Sequence, residues 1–165
     1  MEHEAAGLLA EIGVALEGSA AGMAVRRSLW IYPIASILHV LGVGLLLGSI
    51  VALDLRFLGA ARAVPLRAAA DLLIPIAATG LLLQIPTGIV MLLADASHLL
   101  TNPLMQVKLL LILAGLANVA LFHRLAGPRL TRLEAPLPTS LRLGALVSLL
   151  AWPMVAILGR AIAYL

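Results

Sequence analysis

Four stretches of the chain are almost continuously apolar, and each is long enough to cross a lipid bilayer. They run over about 29–53, 72–94, 104–122 and 141–158, and a membrane-spanning helix needs roughly 20 apolar residues. None shows the alternation of a half-buried strand, and an open chain satisfies its backbone hydrogen bonds in hydrocarbon only as a helix. The pattern therefore predicts an all-α fold, a bundle of four transmembrane helices.

The first 25 residues follow a different pattern. Apolar residues recur there at helical spacing among acidic ones, at Leu8, Leu9, Ile12 and Leu16. The acidic start and the interrupted apolar run are unlike a secretory signal. We therefore expect residues 1–25 to form an amphipathic helix on the membrane–water boundary or docked on a partner, and residues 26–165 to form the four-helix bundle.

Composition supports a membrane protein. The chain is 62% hydrophobic and only 12% charged, and its mean hydropathy is +1.10, which is typical of a protein whose solvent is lipid. The spans and their connections use nearly the whole chain, so we expect no separate soluble catalytic module. The chain has no cysteine, which excludes disulfides and thiolate-bound iron–sulfur clusters.

The basic residues are distributed unevenly between the two sides of the predicted bundle. The side of the first and third connections carries Arg56, Arg62, Arg67, Arg124, Arg129, Arg132 and Arg142. The other side carries only Arg26 and Arg27 outside the helices. Because positive charge marks cytoplasmic connections, the pattern predicts a multi-pass protein of the bacterial inner membrane with both termini in the periplasm. It accounts for the basic pI without invoking nucleic acid.

His39 is the most informative residue, because it interrupts an otherwise apolar span. An ionisable side chain within a membrane is costly and marks a candidate functional site. It lies about ten residues from the outer end of its helix, roughly 15 Å deep. Three explanations stay open: a hydrogen bond to a neighbouring helix, ligation of a haem iron by the neutral imidazole, and a role with another metal or a proton relay.

Polar and small residues form stripes on the first two spans. On the first span, one face carries Tyr32, Ser36, His39 and Gly42 at three- and four-residue spacing. Gly44 and Gly48 form a small-xxx-small pair beside it, which allows close approach of a helix or a flat group. On the second span, Gln84 and Thr87 are placed to hydrogen-bond the polar edge of a ligand or to join helices.

The third and fourth spans add cationic and amide candidates. Lys108 lies about one turn inside the third span, where its ammonium can snorkel to the interface or pair with an acidic group such as Asp95 or a haem propionate. Asn118 follows on roughly the same side. Arg160 suits the outer interface and is also a candidate for a propionate or a quinone carbonyl. The predicted cofactor-binding residues are Tyr32, His39, Gly42, Gln84, Thr87, Lys108, Asn118 and Arg160.

Two further histidines are candidate metal ligands beside His39. His98 lies in the outer connection between the second and third spans, and it reaches the bundle only if that connection folds inward. His123 lies at the cytoplasmic end of the third span, roughly 13 Å below His39 by the helical rise. A single haem held straight between His39 and His123 is therefore strained.

Several motifs also carry a family resemblance over about residues 19–125. They are Leu29-Trp30-Ile31-Tyr32-Pro33, His39-Val40-Leu41-Gly42, Gly48-Ser49, Asp54-Leu55-Arg56, Thr87-Gly88, Asn102-Pro103, Lys108 and Asn118. On these motifs the chain resembles a family of uncharacterised four-helix bacterial inner-membrane proteins. More distantly, it is similar to copper-resistance D-type membrane domains and haem-containing membrane protoporphyrinogen oxidases. The resemblance implies a role for His39 and for Lys108.

These observations lead to one expected function and its alternatives. We expect an integral membrane protein that binds b-type haem through His39 and acts as an electron-transfer or membrane-anchor subunit between a periplasmic redox partner and quinone. The alternatives are a cofactor-free structural or assembly subunit of a membrane complex and a small metal transporter. The five methionines are scattered rather than clustered, which argues against copper transport. An independent enzyme is least expected, because no acid–base or nucleophilic constellation is recognisable.

Overall fold

The computed structural model describes residues 2–126 and 137–164, and these residues form helices without β-strands. Seven helices occur in this part of the chain: α1 (Glu2–Gly18), α2 (Ala20–Arg27), α3 (Ile31–Leu58), α4 (Leu66–Ala94), α5 (Ala96–Thr101), α6 (Pro103–Ala126) and α7 (Thr139–Ala161). The helices α3, α4, α6 and α7 are long and apolar enough to cross a membrane. The predicted all-α, four-span architecture is therefore confirmed.

Each predicted span corresponds to one of these long helices, although the first was predicted to begin at residue 29 and α3 begins at Ile31. Helix α3 ends at Leu58, five residues later than its apolar stretch, and the next residue, Gly59, has φ 109° and takes the left-handed conformation that commonly ends a helix. Pro75 and Pro86 lie inside α4 without ending it. Membrane helices tolerate such prolines, because neighbouring groups satisfy the backbone carbonyl that proline leaves unpaired.

Helices α3 and α4 cross at a pair of glycines. A Cβ atom on Gly80 would lie 2.5 Å from the backbone nitrogen of Leu46, and one on Gly42 would lie 2.9 Å from the carbonyl oxygen of Gly80. The backbones of the two helices are therefore in direct contact. The predicted pair Gly44 and Gly48 does not make this approach, because a Cβ atom on either residue would meet nothing within 4 Å.

Helices α6 and α7 pack through a second set of small residues. Gly115 lies against the indole ring of Trp152, and the Asn118 side-chain amide donates a hydrogen bond of 3.0 Å to the carbonyl oxygen of Gly144. Trp152 also packs with Leu46 in the core, which joins α7 to α3. No Cα atom of α4 lies within 8 Å of one of α6, so the bundle is open along this side.

The two ends of the bundle differ in what covers them. At one end, which we call the basic end, α3 and α6 finish and α4 and α7 begin. The buried Arg56 side chain there donates a hydrogen bond of 2.6 Å to the Val64 carbonyl oxygen and anchors the first connection. The connection over 127–136, with Arg129 and Arg132, lies outside the described residues. At the other end, here the capped end, α1, α2 and α5 cover the bundle.

The predicted N-terminal helix is present, and it is divided into two helices. Helix α1 and helix α2 are bent by 67°, and Ser19 caps the second by accepting a hydrogen bond of 3.1 Å from the Gly22 amide. Leu8 and Ile12 remain 58% and 43% exposed. These two side chains are thus left uncovered by the protein, as a helix on a lipid surface requires, whereas Leu9 and Leu16 are half-buried.

Glu17 attaches the N-terminal helices to the bundle. Its carboxylate accepts a hydrogen bond of 2.6 Å from the backbone amide of Ser97, at the start of α5, and a second of 3.1 Å from Arg26. The hydrogen bonds from Ser97, with a smaller contribution from the Arg26 charge, hold the pKa of the Glu17 carboxyl group below its usual value. Helix α1 is therefore held on α5 by an ionised group.

Candidate functional site

The imidazole of His39 is hydrogen-bonded across the α3–α4 interface. Its Nδ1 atom lies 3.0 Å from the hydroxyl oxygen of Thr87, and that hydroxyl donates its own proton to the Leu83 carbonyl oxygen at 2.5 Å. Since a threonine hydroxyl has only one proton, the Thr87 oxygen accepts and His39 Nδ1 donates. The same assignment leaves a lone pair on Nε2. This is the tautomer that a metal-binding histidine requires.

Two neighbours define the surroundings of the imidazole. The ring lies against Gly88, where a Cβ atom would come within 3.3 Å of His39 Cε1. Lys108 on α6 is close enough for its charge to interact with His39. The Lys108 ammonium itself packs against α7, since a Cβ atom on Gly159 would lie 2.9 Å from its Nζ atom. Residues of all four long helices therefore meet around His39 and Lys108.

The remaining predicted cofactor-binding residues are dispersed. Gly42 and Gln84 meet at the α3–α4 crossing, where a Cβ atom on the glycine would lie 3.0 Å from the Gln84 Cγ atom. Tyr32 is 43% exposed near the start of α3. Asn118 is engaged with α7 in the opposite half of the bundle. Arg160 is exposed, hydrogen-bonds the Tyr164 hydroxyl group and places its guanidinium 4.6 Å from the centre of that ring.

His98 lies at the surface of the capped end. Its Nδ1 atom is 3.5 Å from a carboxylate oxygen of Asp95, and both side chains are more than half exposed. The connection between α4 and α6 contains the short helix α5, which packs against α1. The His98 imidazole faces Asp95 rather than His39.

His123 lies at the basic end. Its Nδ1–H donates a hydrogen bond of 2.9 Å to the Val119 carbonyl oxygen. Its ring touches that of Phe122, which stacks on Phe57 with ring centroids 5.3 Å apart. Phe57 is about five turns after His39 on α3, roughly 27 Å along the axis. The separation of His39 and His123 is thus larger than the helical rise predicted, and the two do not face one site.

The three predicted metal ligands His39, His98 and His123 are consequently not brought together. In the described part of the chain, no three side chains of His, Asp or Glu gather as a metal-binding group. Among the described residues, the predicted ligands and cofactor-binding residues that lie near His39 are Thr87, Lys108 and the backbone of Gln84, with Gly88 beside them.

A second polar group, which the sequence reasoning overlooked, lies toward the basic end. Asp54 is only 5% exposed, and the Ser148 hydroxyl on α7 is within hydrogen-bonding reach of its carboxyl group. The apolar stretch of the first span ends at residue 53, and the sequence analysis names Asp54 only within the Asp54-Leu55-Arg56 motif. The structure shows that the helix continues to Leu58 and so carries Asp54 inside it.

Comparison with known proteins identifies a family without assigned chemistry. No curated protein matches the chain, and no solved structure matches it. A family model described as a family of unknown function, DUF6644, matches residues 17–165. That match covers helices α2 to α7 and thus the whole four-helix bundle. The chain is therefore a member of this family of unknown function, DUF6644.

Proposed function

We propose that this protein is a b-type haem protein of the bacterial inner membrane, in which His39 is the iron ligand. It serves as an electron-transfer or membrane-anchor subunit between quinone and a periplasmic redox partner. The observation that carries the proposal is the hydrogen bond from His39 Nδ1 to Thr87. Histidines that bind metals almost always donate their other ring N–H in this way, which orients the ring and makes it a better ligand.

The residues near His39 are suited to a haem group. Gly88 lets the imidazole pack directly against α4, since a Cβ atom there would come within 3.3 Å of its Cε1 atom, and the half-buried ammonium of Lys108 is a partner for a propionate. Arg160, one residue after the glycine that Lys108 contacts, adds a second cation at the same end of the bundle. When bound, the haem iron supplies reversible one-electron redox chemistry. The chain's own part is to hold Nε2 unprotonated and to exclude water from it.

The proposal includes a single histidine ligand. His98 is at the surface beside Asp95, and His123 is at the other end of the bundle, so neither is positioned to complete the iron coordination with His39. A haem iron with one histidine ligand keeps an open sixth position and binds carbon monoxide when reduced. This expectation separates the proposed site from a cytochrome with two histidine ligands.

The decisive experiment is an absorption spectrum of the purified protein, produced in cells supplied with a haem precursor. We expect a Soret band in the wild-type protein, its loss in His39→Ala, and a shift on adding carbon monoxide to the reduced protein. His98→Ala is the matched control and should keep the band, because its imidazole is exposed at the capped end. A colourless wild-type protein would contradict the proposal and favour a cofactor-free assembly subunit. A His39→Ala variant with an unchanged band would reject His39 as the iron ligand.

A further inference from the structure

A cavity of about 170 Å³ lies between the four long helices, on the basic side of the Leu46–Trp152 contact. Its walls are mainly apolar and include Ile50, Phe57, Leu81 and Phe122. Asp54, Ser148 and Trp152 also line it. Side chains of both α4 and α6 line it, although no Cα atoms of these two helices come within 8 Å of each other.

Two polar atoms beside this cavity are buried without a hydrogen-bond partner among the described residues, Asp54 Oδ2 and Trp152 Nε1. Both residues are at least nine-tenths buried, at 5% and 4% exposure. Leaving a buried polar group unpaired costs about 1–3 kcal/mol, and more for a charged one. The pair consists of one acceptor and one donor, so a ligand with complementary groups would relieve both.

The two unpaired atoms lie at two levels of the cavity. The Ser148 hydroxyl is within reach of the Asp54 carboxyl group, and Trp152 follows Ser148 by four residues on α7, roughly 6 Å by the helical rise. One polar group of a ligand can therefore meet Asp54 while another meets Trp152.

We infer that this cavity binds the ring of a membrane para-quinol or para-quinone. One hydroxyl of the quinol donates to Asp54, and the oxygen on the opposite side of the ring accepts from the indole N–H of Trp152. In the oxidised form, the Ser148 hydroxyl donates to the first carbonyl oxygen. The apolar tail leaves between α4 and α6 into the lipid. The identification of quinone as a partner rests on the proposed electron-transfer function, whereas the binding site rests on the cavity itself.

The size and lining of the cavity favour this occupant over water or an ion. An apolar cavity of roughly 150 Å³ holds benzene, so the observed volume suits a single substituted ring. A buried water needs two to four polar partners, and a hard cation needs about six oxygen ligands. Most of the lining side chains are apolar, and those that carry polar atoms are Asp54, Asn118, His123, Ser148 and Trp152.

The chain provides its own reporter for a binding experiment. Trp152 lies at the cavity, and the other tryptophan, Trp30, is 73% exposed at the start of the bundle. In a Trp30→Phe background, Trp152 is the sole tryptophan. We propose titrating this full-length variant in detergent with decylubiquinone and with its quinol, following quenching of the Trp152 fluorescence. Decylbenzene, which has the same tail and no ring oxygens, serves as the competitor.

We expect saturable quenching by both forms and no displacement by an equal concentration of decylbenzene. Asp54→Asn should weaken binding of the quinol about tenfold, since it replaces one of the two acceptor oxygens of the buried carboxyl group by an amide donor, and should affect the quinone less. Asp71→Asn, which changes an exposed carboxylate at the same end of the bundle, should leave both affinities unchanged. If Asp54→Asn does not fold, Ser148→Ala should weaken binding of the quinone severalfold.

Three results would overturn the inference: no saturable quenching, equal competition by decylbenzene, or unchanged quinol and quinone affinities in the folded cavity variants. Adding His39→Ala to the Trp30→Phe background separates this inference from the proposed function. Quinol binding that persists in this variant would show that the cavity site does not depend on a haem at His39. In the Trp30→Phe protein that keeps His39, quinol binding without a haem spectrum would leave the cavity site standing and reject the haem, and a haem spectrum without quinol binding would support the haem and reject the cavity site.

Discussion

At the scale of single residues, the hydrogen bond between His39 and Thr87 assigns the proton of the imidazole to Nδ1. Thr87 accepts from its Nδ1 atom because the threonine proton is used within α4, on the carbonyl oxygen of Leu83. A hydrogen bond to a neighbouring helix was one explanation for a histidine in an apolar span, and a metal ligand was another. The hydrogen bond to Thr87 does not exclude metal ligation, since it uses Nδ1 and leaves Nε2 for a metal.

The role of Thr87 can be tested by Thr87→Val, which keeps the shape of the side chain and removes the acceptor. We expect haem affinity to fall about tenfold, because losing the hydrogen bond to the other ring nitrogen of a metal-binding histidine lowers metal affinity roughly 10–100-fold. The measurement is a haem titration of the apoprotein followed at the Soret band. Thr79→Val is the matched control, because Thr79 makes the same type of hydrogen bond to the carbonyl four residues earlier and is exposed. An equal loss of affinity in both variants would reject a specific role for Thr87.

At the scale of the elements, the crossing of α3 and α4 decides which residues meet. The backbones touch at Gly42 and Gly80, and this contact brings His39 opposite Thr87 and Gly88. Small-xxx-small spacing alone pointed to Gly44 and Gly48, which face open space instead. Spacing identifies residues that permit a close approach, but the rotation of each helix determines which of them are used.

The importance of this crossing is tested by Gly80→Ala. The added methyl group would meet the backbone of α3 at 2.5 Å, which cannot be relieved by a side-chain rotation, so we expect a loss of about 1–3 kcal/mol in the free energy of unfolding. Reversible unfolding in mixed micelles provides the measurement. Gly44→Ala is the control, and in open space it should be neutral or stabilise the helix by up to about 1 kcal/mol. Similar stabilities of the two variants would show that the α3–α4 crossing is not tightly packed.

At the scale of the whole molecule, the four long helices carry an uneven distribution of charge, and the described residues include a layer of helices that covers the capped end. The described arginines at the basic end include Arg56, Arg62 and Arg67, and the capped end carries α1, α2 and α5 with the ion pair of Glu17 and Arg26. In the proposed orientation, the capped end and the His39 site are on the periplasmic half. The Asp54 cavity is then on the cytoplasmic half.

The orientation can be measured directly, because the chain has no cysteine of its own. We expect Ala21→Cys, on the exposed surface of α2, to react with a membrane-impermeant maleimide added to intact spheroplasts. Ala63→Cys, in the exposed connection between α3 and α4, should react only after the membrane is opened. The physical reason is the retention of basic connections in the cytoplasm. The opposite labelling pattern would invert the proposed positions of both sites.

The sequence by itself determined the all-α class, the number of spans, the N-terminal helix and His39 as an unusual polar group within the first span. These are local properties, because lipid requires each crossing segment to be apolar and helical over its own length. Only the tertiary structure decided that Thr87 holds His39, that His98 and His123 lie elsewhere, and that Asp54 and Trp152 are buried beside one cavity. Those relations depend on the rotation and crossing of helices, which a few contacts between distant residues set, above all Gly42 against Gly80.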